Sequence, residues 1–338
     1  MSSPVLQVAI IGFGLSGKTL QAPFFARHPS FQLRRIVTKS QDPSVLYPGV
    51  IRTDSLEEAL EDPEVDLVSI CSPDATHFPY ARRALLARKH VLVEKPVASN
   101  TEEVLELIRL SGQMGKKFFV FQNRRFDSDF RTVREVLEQG LLGTVVRYEA
   151  HYNRYKPERS PKPWKEEVTP SSGILYGLGT HILDQAIALF GKPKDVWGQT
   201  TREREGSVID DAFDLHLDYG RLKVHLSSSL LVREETPRYV VHGTKGSFVK
   251  YGIDPQEDHL KAGLMPGMPG FGHEEAGTRG ILHTQLGELS FRGHVETLPG
   301  DWGILFQNLA DGILHDAPSL IPLDDILEQV RILENIKR

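Results

Sequence analysis

Val5-Leu6-Gln7-Val8-Ala9-Ile10-Ile11-Gly12-Phe13-Gly14-Leu15-Ser16-Gly17-Lys18-Thr19 is the stretch that decides the fold. A mostly apolar run of this length, without alternation, is what a strand buried on both faces of a sheet shows. The glycines after it let the backbone turn tightly. Their N–H groups can then approach a phosphate at a helix N-terminus, where the helix dipole favours negative charge. The stretch fits both the dinucleotide fingerprint GxGxxG and the phosphate-loop pattern GxxxxGK[ST], and a glycine turn without a ligand is the third reading.

The neighbouring segments separate these readings. Apolar runs at Phe31 to Val37, Val65 to Cys71, Val91 to Val93 and Phe118 to Phe121 alternate with helical patterns, as βαβ units around a parallel sheet do. Ser55 to Glu58 and Ser99 to Glu102 have the spacing of capping boxes that open two of the helices. A phosphate-loop enzyme needs a carboxylate at the end of another strand to hold magnesium. Leu67 to Ser72 runs into Pro73 without one, and Asp74 comes only after the turn. A dinucleotide fold instead wants a second strand ending about 20 residues past the fingerprint, at the adenosine ribose. Phe31 to Val37 ends there. It is followed by Thr38-Lys39-Ser40 with no acid, and a lysine with hydroxyl neighbours suits the 2′-phosphate of NADP. NAD stays possible because Asp42 is close, and Lys39 could be no more than a solvated loop charge.

Beyond a helix at Asp127 to Gln139 the texture turns to β. Strands are expected at Val145 to Tyr152, Ala212 to Tyr219, Leu222 to Leu230 and Tyr239 to Val241, with a hairpin at Tyr219-Gly220-Arg221. Short turns between sequential strands mean an antiparallel sheet. Loops are expected at Lys156 to Ser172 and Ile253 to Gly280, and helices from Trp302 to His315 and Leu323 to Ile336. The expected architecture is therefore α/β plus α+β. It joins a doubly wound parallel (Rossmann) domain at residues 1–122 to a domain at 123–338 with an open antiparallel sheet flanked by helices.

With 40 Lys and Arg against 45 Asp and Glu in 338 residues, the net charge of −5 gives no field for nucleic acid or an anionic membrane. One cysteine, Cys71, cannot build an internal disulfide framework or a thiolate metal cluster and points to a reducing compartment, the cytoplasm by default. No signal segment is expected at Val5 to Ile11, and no window reaches the about 18 apolar residues of a membrane span. The histidines have no HExxH or paired ligand spacing, so no catalytic metal is expected.

Glu94-Lys95-Pro96 follows a parallel strand, placing an amine where open α/β sheets bind ligands, although a surface lysine beside a strand end is the commoner explanation of such spacing. Taken together, Gly12 to Gly17, Ser72-Pro73 with His77, Glu94-Lys95-Pro96, and Gly179-Thr180-His181 with Asp184 resemble the glucose-fructose oxidoreductase, inositol dehydrogenase and rhizopine catabolism (Gfo/Idh/MocA) family. Gln122 to Arg125, Arg154 to Pro157, Gly179 to Gln185 and Tyr251 to Gln256 resemble more narrowly its NADP-dependent scyllo-inositol dehydrogenase branch.

The resemblance implies hydride transfer between a nicotinamide and a hydroxyl carbon of a sugar, cyclitol or related polyol, in a homodimer or homotetramer built through the second domain. It implies cofactor contacts from Gly12, Phe13, Gly14, Leu15, Ser16, Gly17, Thr38, Lys39, Ser40, Ser72, Pro73, His77, Glu94 and Lys95. Lys95, His181 and Asp184 would be catalytic, with Arg124, Tyr155, Trp164 and Tyr176 joining Lys95 and His181 on the substrate. A lysine base near neutrality needs its pKa lowered by roughly three units, about 4 kcal/mol. The chain departs from the resemblance at Gly177, where many members carry an aspartate four residues before the histidine. A phosphate-loop kinase and a catalytically weakened NADP-binding regulator are the alternatives.

Overall fold

The structure is a computed structural model that describes residues 4–39, 41–160 and 166–337. The chain forms two compact units, one of Met1–Asn123, Glu257–Phe271 and Trp302–Val330, the other of Arg124–Gln256, Gly272–Asp301 and Arg331–Arg338.

In the first unit β1 (Leu6–Ile11) ends at the glycines. A wide-turned π-helical segment, Leu15–Gln21, follows and continues as α1 (Ala22–Arg27). Then come β2 (Phe31–Val37), β3 (Ile51–Thr53), α2 (Leu56–Glu61), β4 (Leu67–Ile70), α3 (His77–Leu86), β5 (His90–Val93), α4 (Thr101–Met114) and β6 (Phe118–Val120). The strand order is β3-β2-β1-β4-β5-β6 with every pair parallel, the expected doubly wound sheet. The order reverses between β1 and β4, and ligands of such sheets bind beyond the strand ends at that reversal. β3 was not anticipated: it has three residues, two of them exposed, too few to show a pattern.

Ser55 caps α2 as expected, its hydroxyl accepting from the Glu58 N–H at 3.3 Å. The second cap lies one residue later than expected. Asn100 accepts from the Glu103 N–H at 3.0 Å, and Glu103 accepts from the Ser99 N–H at 3.1 Å. Asn is as good a cap as Ser, and in this register the Glu103 carboxylate reaches back to the residue before the cap rather than to the cap itself. An aromatic cluster closes the unit: Phe306, on helix Gly303–Leu314, stacks on Phe24 at 4.8 Å and meets Phe25 edge-on at 4.9 Å.

The second unit contains α5 (Ser128–Glu138), β7 (Val145–His151), the π-helical turn Leu175–Gly179 and α6 (Thr180–Phe190). Its remaining strands are β8 (Asp195–Thr201), β9 (Ala212–Asp218), β10 (Lys223–Ser229), β11 (Tyr239–Gly243), β12 (Gly246–Lys250), β13 (Gly280–Leu286) and β14 (Leu289–Val295). They form one sheet in the order β14-β13-β12-β11-β7-β10-β9-β8. The sheet is mixed rather than wholly antiparallel, because β10 pairs parallel to β7. The connection from β7 to β10 contains α6, the kind of crossover that a parallel pair requires. Four strands, β8 and β12 to β14, were not anticipated. β8 alternates between exposed and half-buried positions, and β14 is largely exposed, so neither carries an apolar signature.

One face of the sheet packs Tyr148, Ala150, Tyr152, Leu215, Leu226 and Tyr239 against Phe130, Ile182, Leu183 and Ala186 of the helices. Across the other face runs a ladder of rings: Trp197 stacks on His216 at 4.0 Å, and His216 on His225 at 4.5 Å.

Candidate active site

The three glycines of the fingerprint do three different jobs. Gly12 has φ +96°, and a Cβ on it would lie 2.9 Å from the backbone of Cys71 and Ser72, so only glycine lets β1 turn beside the end of β4. A Cβ on Gly17 would collide with the Gly12 carbonyl and lie 3.1 Å from Ile10, so glycine lets the helix sit down on the strand. At Gly14 a Cβ would meet nothing within 4 Å, leaving the backbone open on that side. Tight turn, open approach and close packing are the three requirements of a pyrophosphate cradle, and these residues fit one. Phe13 is buried, its ring edge-on to Tyr47 at 6.4 Å, while Leu15 is exposed.

Glu94 ties this cradle to the turn after β5. Its buried carboxylate accepts from the Ser16 hydroxyl, from Gln21 Nε2 at 3.0 Å and from the Lys95 N–H at 3.1 Å. Gln21 also accepts from the Ser69 hydroxyl at 2.5 Å, so a polar network runs beneath the strand ends. Lys95 is half-buried and joined to Pro96 by a cis peptide. The buried His77 ring spans two carbonyl oxygens, of Pro96 at 2.6 Å and Ser72 at 2.9 Å. It thereby ties the Ser72-Pro73 turn to the Lys95-Pro96 turn. The hydroxyls of Ser72 and Thr76 pair at 2.6 Å.

At the end of β2, Thr38 is buried and Lys39 exposed, while Ser40 lies outside the described residues. Arg52, on β3, donates to the carbonyls of Lys39 at 3.3 Å and Thr38 at 3.5 Å. Asp42 accepts from the Ser44 N–H at 3.0 Å and its hydroxyl at 2.7 Å, bonds that hold its carboxyl below the usual carboxylate range. Sequence reasoning missed Gln21 and Arg52. The first is a polar residue one turn past Gly17 that fits no motif, and the second sits on a strand too short to be read.

In the second unit His181 is buried in the first turn of α6. Asp184, one turn on, receives both arms of Arg125 at 2.7 Å with both side chains buried. Arg124 pairs with Asp127 at 3.0 Å, and its carbonyl accepts from Gln185 Nε2 at 2.7 Å. Tyr176 is buried, which pushes its hydroxyl up to about 12 and keeps it a neutral donor. Tyr155 is 43 % exposed, with the Arg233 guanidinium 4.1 Å from its ring centre. Trp164 lies outside the described residues. A Cβ on Gly177 would meet nothing within 4 Å. Among the described residues, no group of three or more His, Cys, Asp or Glu could hold a metal ion, and no helix is long and apolar enough to cross a membrane.

A parallel sheet ordered in this way, with a glycine cradle at its reversal point, defines an NAD-binding Rossmann protein. Residues 6–122 match the family described as "Oxidoreductase family, NAD-binding Rossmann fold", and residues 134–338 its "C-terminal alpha/beta domain". The chain belongs to the Gfo/Idh/MocA oxidoreductase family. It is 38% identical over 335 residues to the uncharacterized oxidoreductase YhhX of Escherichia coli, covering 98% of this chain and 95% of that one. It is 33% identical over 330 residues to the scyllo-inositol 2-dehydrogenase (NADP(+)) IolW of Bacillus subtilis, covering 97% and 92%. Among solved structures, the putative oxidoreductase yvaA of Bacillus subtilis superposes with a TM-score of 0.95 at 33% identity, over 99% of this chain and 95% of that one. These comparisons give a phosphate-loop kinase no support.

Proposed function

We propose that this chain is an NADP-dependent oxidoreductase acting on a hydroxyl carbon of a sugar, cyclitol or related polyol in the cytoplasm. The observation that carries this reading is the glycine cradle joined through Glu94 to the turn that presents Lys95. The similarity to IolW, named as an NADP-dependent scyllo-inositol 2-dehydrogenase, supports the substrate class.

Gly12 to Gly17 would hold the cofactor's diphosphate and Thr38, Lys39 and Ser40 the 2′-phosphate, with Ser72, Pro73, His77 and Glu94 shaping the strand ends beside them. When bound, the nicotinamide gives or takes the hydride. Lys95 takes a proton from the substrate hydroxyl on oxidation and returns it on reduction. In the second unit His181 hydrogen-bonds substrate hydroxyls, Asp184 fixes the local geometry through Arg125, and Arg124, Tyr155, Trp164 and Tyr176 contact the substrate. Assembly into a homodimer or homotetramer would cover the sheet face that carries Trp197, which is 61% exposed.

The test is a titration of NADPH, NADH and ATP with magnesium against intrinsic fluorescence, followed by NADP reduction across inositols, aldoses and sugar acids. Tight NADPH binding with turnover of a polyol or sugar is expected. NADPH binding without any turnover favours a regulator, and ATP binding without dinucleotide binding sinks the reading. Light scattering at micromolar concentration checks the assembly.

A further inference from the structure

Four arginines gather beside the helix that carries His181, and three carboxylates answer them. Arg124 pairs with Asp127, Arg125 with Asp184, and Arg238 with Asp129 at 3.2 Å, all six side chains buried. The fourth, Arg154, is half-buried and has no carboxylate partner among the described residues. Its guanidinium lies 5.2 Å from the centre of the buried Tyr152 ring, which Arg124 and Arg238 also approach at 5.5 and 4.0 Å.

The backbone holds Arg154 on the helix-facing side of the sheet. The N–H groups of Tyr152, Arg154 and Lys156 donate to Ser227, Ser229 and Leu230 at 2.9, 3.0 and 2.7 Å, extending β7 past its end. Side chains alternate along an extended strand, so Arg154 follows Tyr148, Ala150 and Tyr152 on the face that packs against α6. Partly buried charge on such a face is costly without a counter-charge. A second group points the same way: Nη2 of the buried Arg238 has no hydrogen-bond partner among the described residues. In the π-helical turn that leads into the helix carrying His181, a Cβ on Gly177 would meet nothing within 4 Å.

We infer that the hydroxylated substrate is itself an anion, a sugar acid or a sugar phosphate, and that Arg154 reads its charge. This rests on the functional reading above for the hydride chemistry, but the charge recognition is measurable without it. A planar guanidinium held over an aromatic ring offers a carboxylate or phosphate two parallel donors, which an ammonium cannot do.

The experiment is calorimetric binding of galacturonate, gluconate, glucose 6-phosphate, glucose and myo-inositol to the full chain, with and without NADP, alongside steady-state kinetics. At least one anion should bind more tightly than its neutral analogue by about 10- to 100-fold, the scale of a charge-assisted contact. The carboxylate and phosphate arms show which anion is preferred. Arg154→Gln should raise KM for that anion by a similar factor with kcat changed less, leave neutral sugars within about threefold, and leave the melting temperature close to wild type. Arg154→Lys should recover part of the loss. Neutral sugars bound as well as anions, no binding by any anion, or an Arg154→Gln chain with unchanged anion affinity would each overturn the inference. Failure of NADPH to bind would instead overturn the functional reading, and the calorimetry without cofactor would still decide the role of Arg154.

Discussion

Gln21 Nε2 donates to Glu94 Oε1 at 3.0 Å, linking two residues 73 positions apart. With the Ser16 hydroxyl and the Lys95 N–H on the same carboxylate, one buried side chain fixes both the helix of the glycine cradle and the turn that bears the lysine. Glu94→Gln keeps the size but replaces one acceptor oxygen by a donor facing other donors. It should lower stability by about 1–3 kcal/mol and weaken NADPH binding in parallel. Urea unfolding and fluorescence titration of the same preparation check this. Stability lost with cofactor affinity intact would restrict Glu94 to a packing role.

Lys95 should separate binding from chemistry. Lys95→Ala is expected to leave NADPH affinity within a few fold while cutting turnover by about 10²–10⁴, since a proton-transfer group acts mainly in the transition state. Single-turnover rates at saturating NADP are the measurement. A tenfold or smaller loss would mean that the reacting proton is handled elsewhere.

Much of this was legible in the sequence, for a physical reason. β1 and β4 are buried almost throughout, so their segments are largely apolar, whereas β2 keeps Gln32 exposed and Arg34 and Arg35 half-buried. Gly12 and Gly17 are required by atoms a Cβ would strike. What stayed hidden depends on pairing across the chain. Asp184 looks like a free acid one turn past His181 until Arg125, 59 residues away, is placed on it. Arg52 and Gln21 act through partners that no local pattern names. β8 and β14 border the sheet with exposed faces, and exposure removes the apolar periodicity by which a strand is recognised.

The Asp184 and Arg125 pair makes a prediction of its own. Asp184→Asn leaves a buried guanidinium without this carboxylate, a change that typically costs about 3–5 kcal/mol. The melting temperature should fall markedly whether or not substrate is present. An Asp184→Asn chain as stable as wild type but inactive would show that the carboxylate serves the substrate instead.

Burial pushes the Asp254 carboxyl up to about 6, with Asp129 adding to the rise and the N–H groups of Ser128 and Gln256 opposing it. A carboxyl raised in the folded state binds its proton more tightly there than in the unfolded chain. This group therefore favours folding in acid and loses that contribution as pH climbs from about 4 to about 6, by on the order of 3 kcal/mol. Asp254→Asn should remove the trend, so the stability difference between variant and wild type should grow in the variant's favour across that window. A difference independent of pH, by urea unfolding at pH 4.5 and 7, would show that the carboxyl titrates normally.

The cofactor preference turns on the end of β2. Asp42, the nearby acid that could serve a ribose hydroxyl, accepts twice from Ser44 through Oδ1, whereas Lys39 is exposed and Arg52 reaches the same strand end from β3. These two cations suit a 2′-phosphate. Lys39→Asp should therefore weaken NADP by about 10- to 100-fold, the scale of one charge-assisted phosphate contact, with NAD affected less than about threefold. Arg52→Gln should shift the ratio in the same direction by a smaller factor, because that guanidinium is already engaged with the carbonyls of Thr38 and Lys39. The double variant should prefer NAD. If the ratio of NADP to NAD dissociation constants stays at its wild-type value in all three variants, the 2′-phosphate is read somewhere other than this strand end.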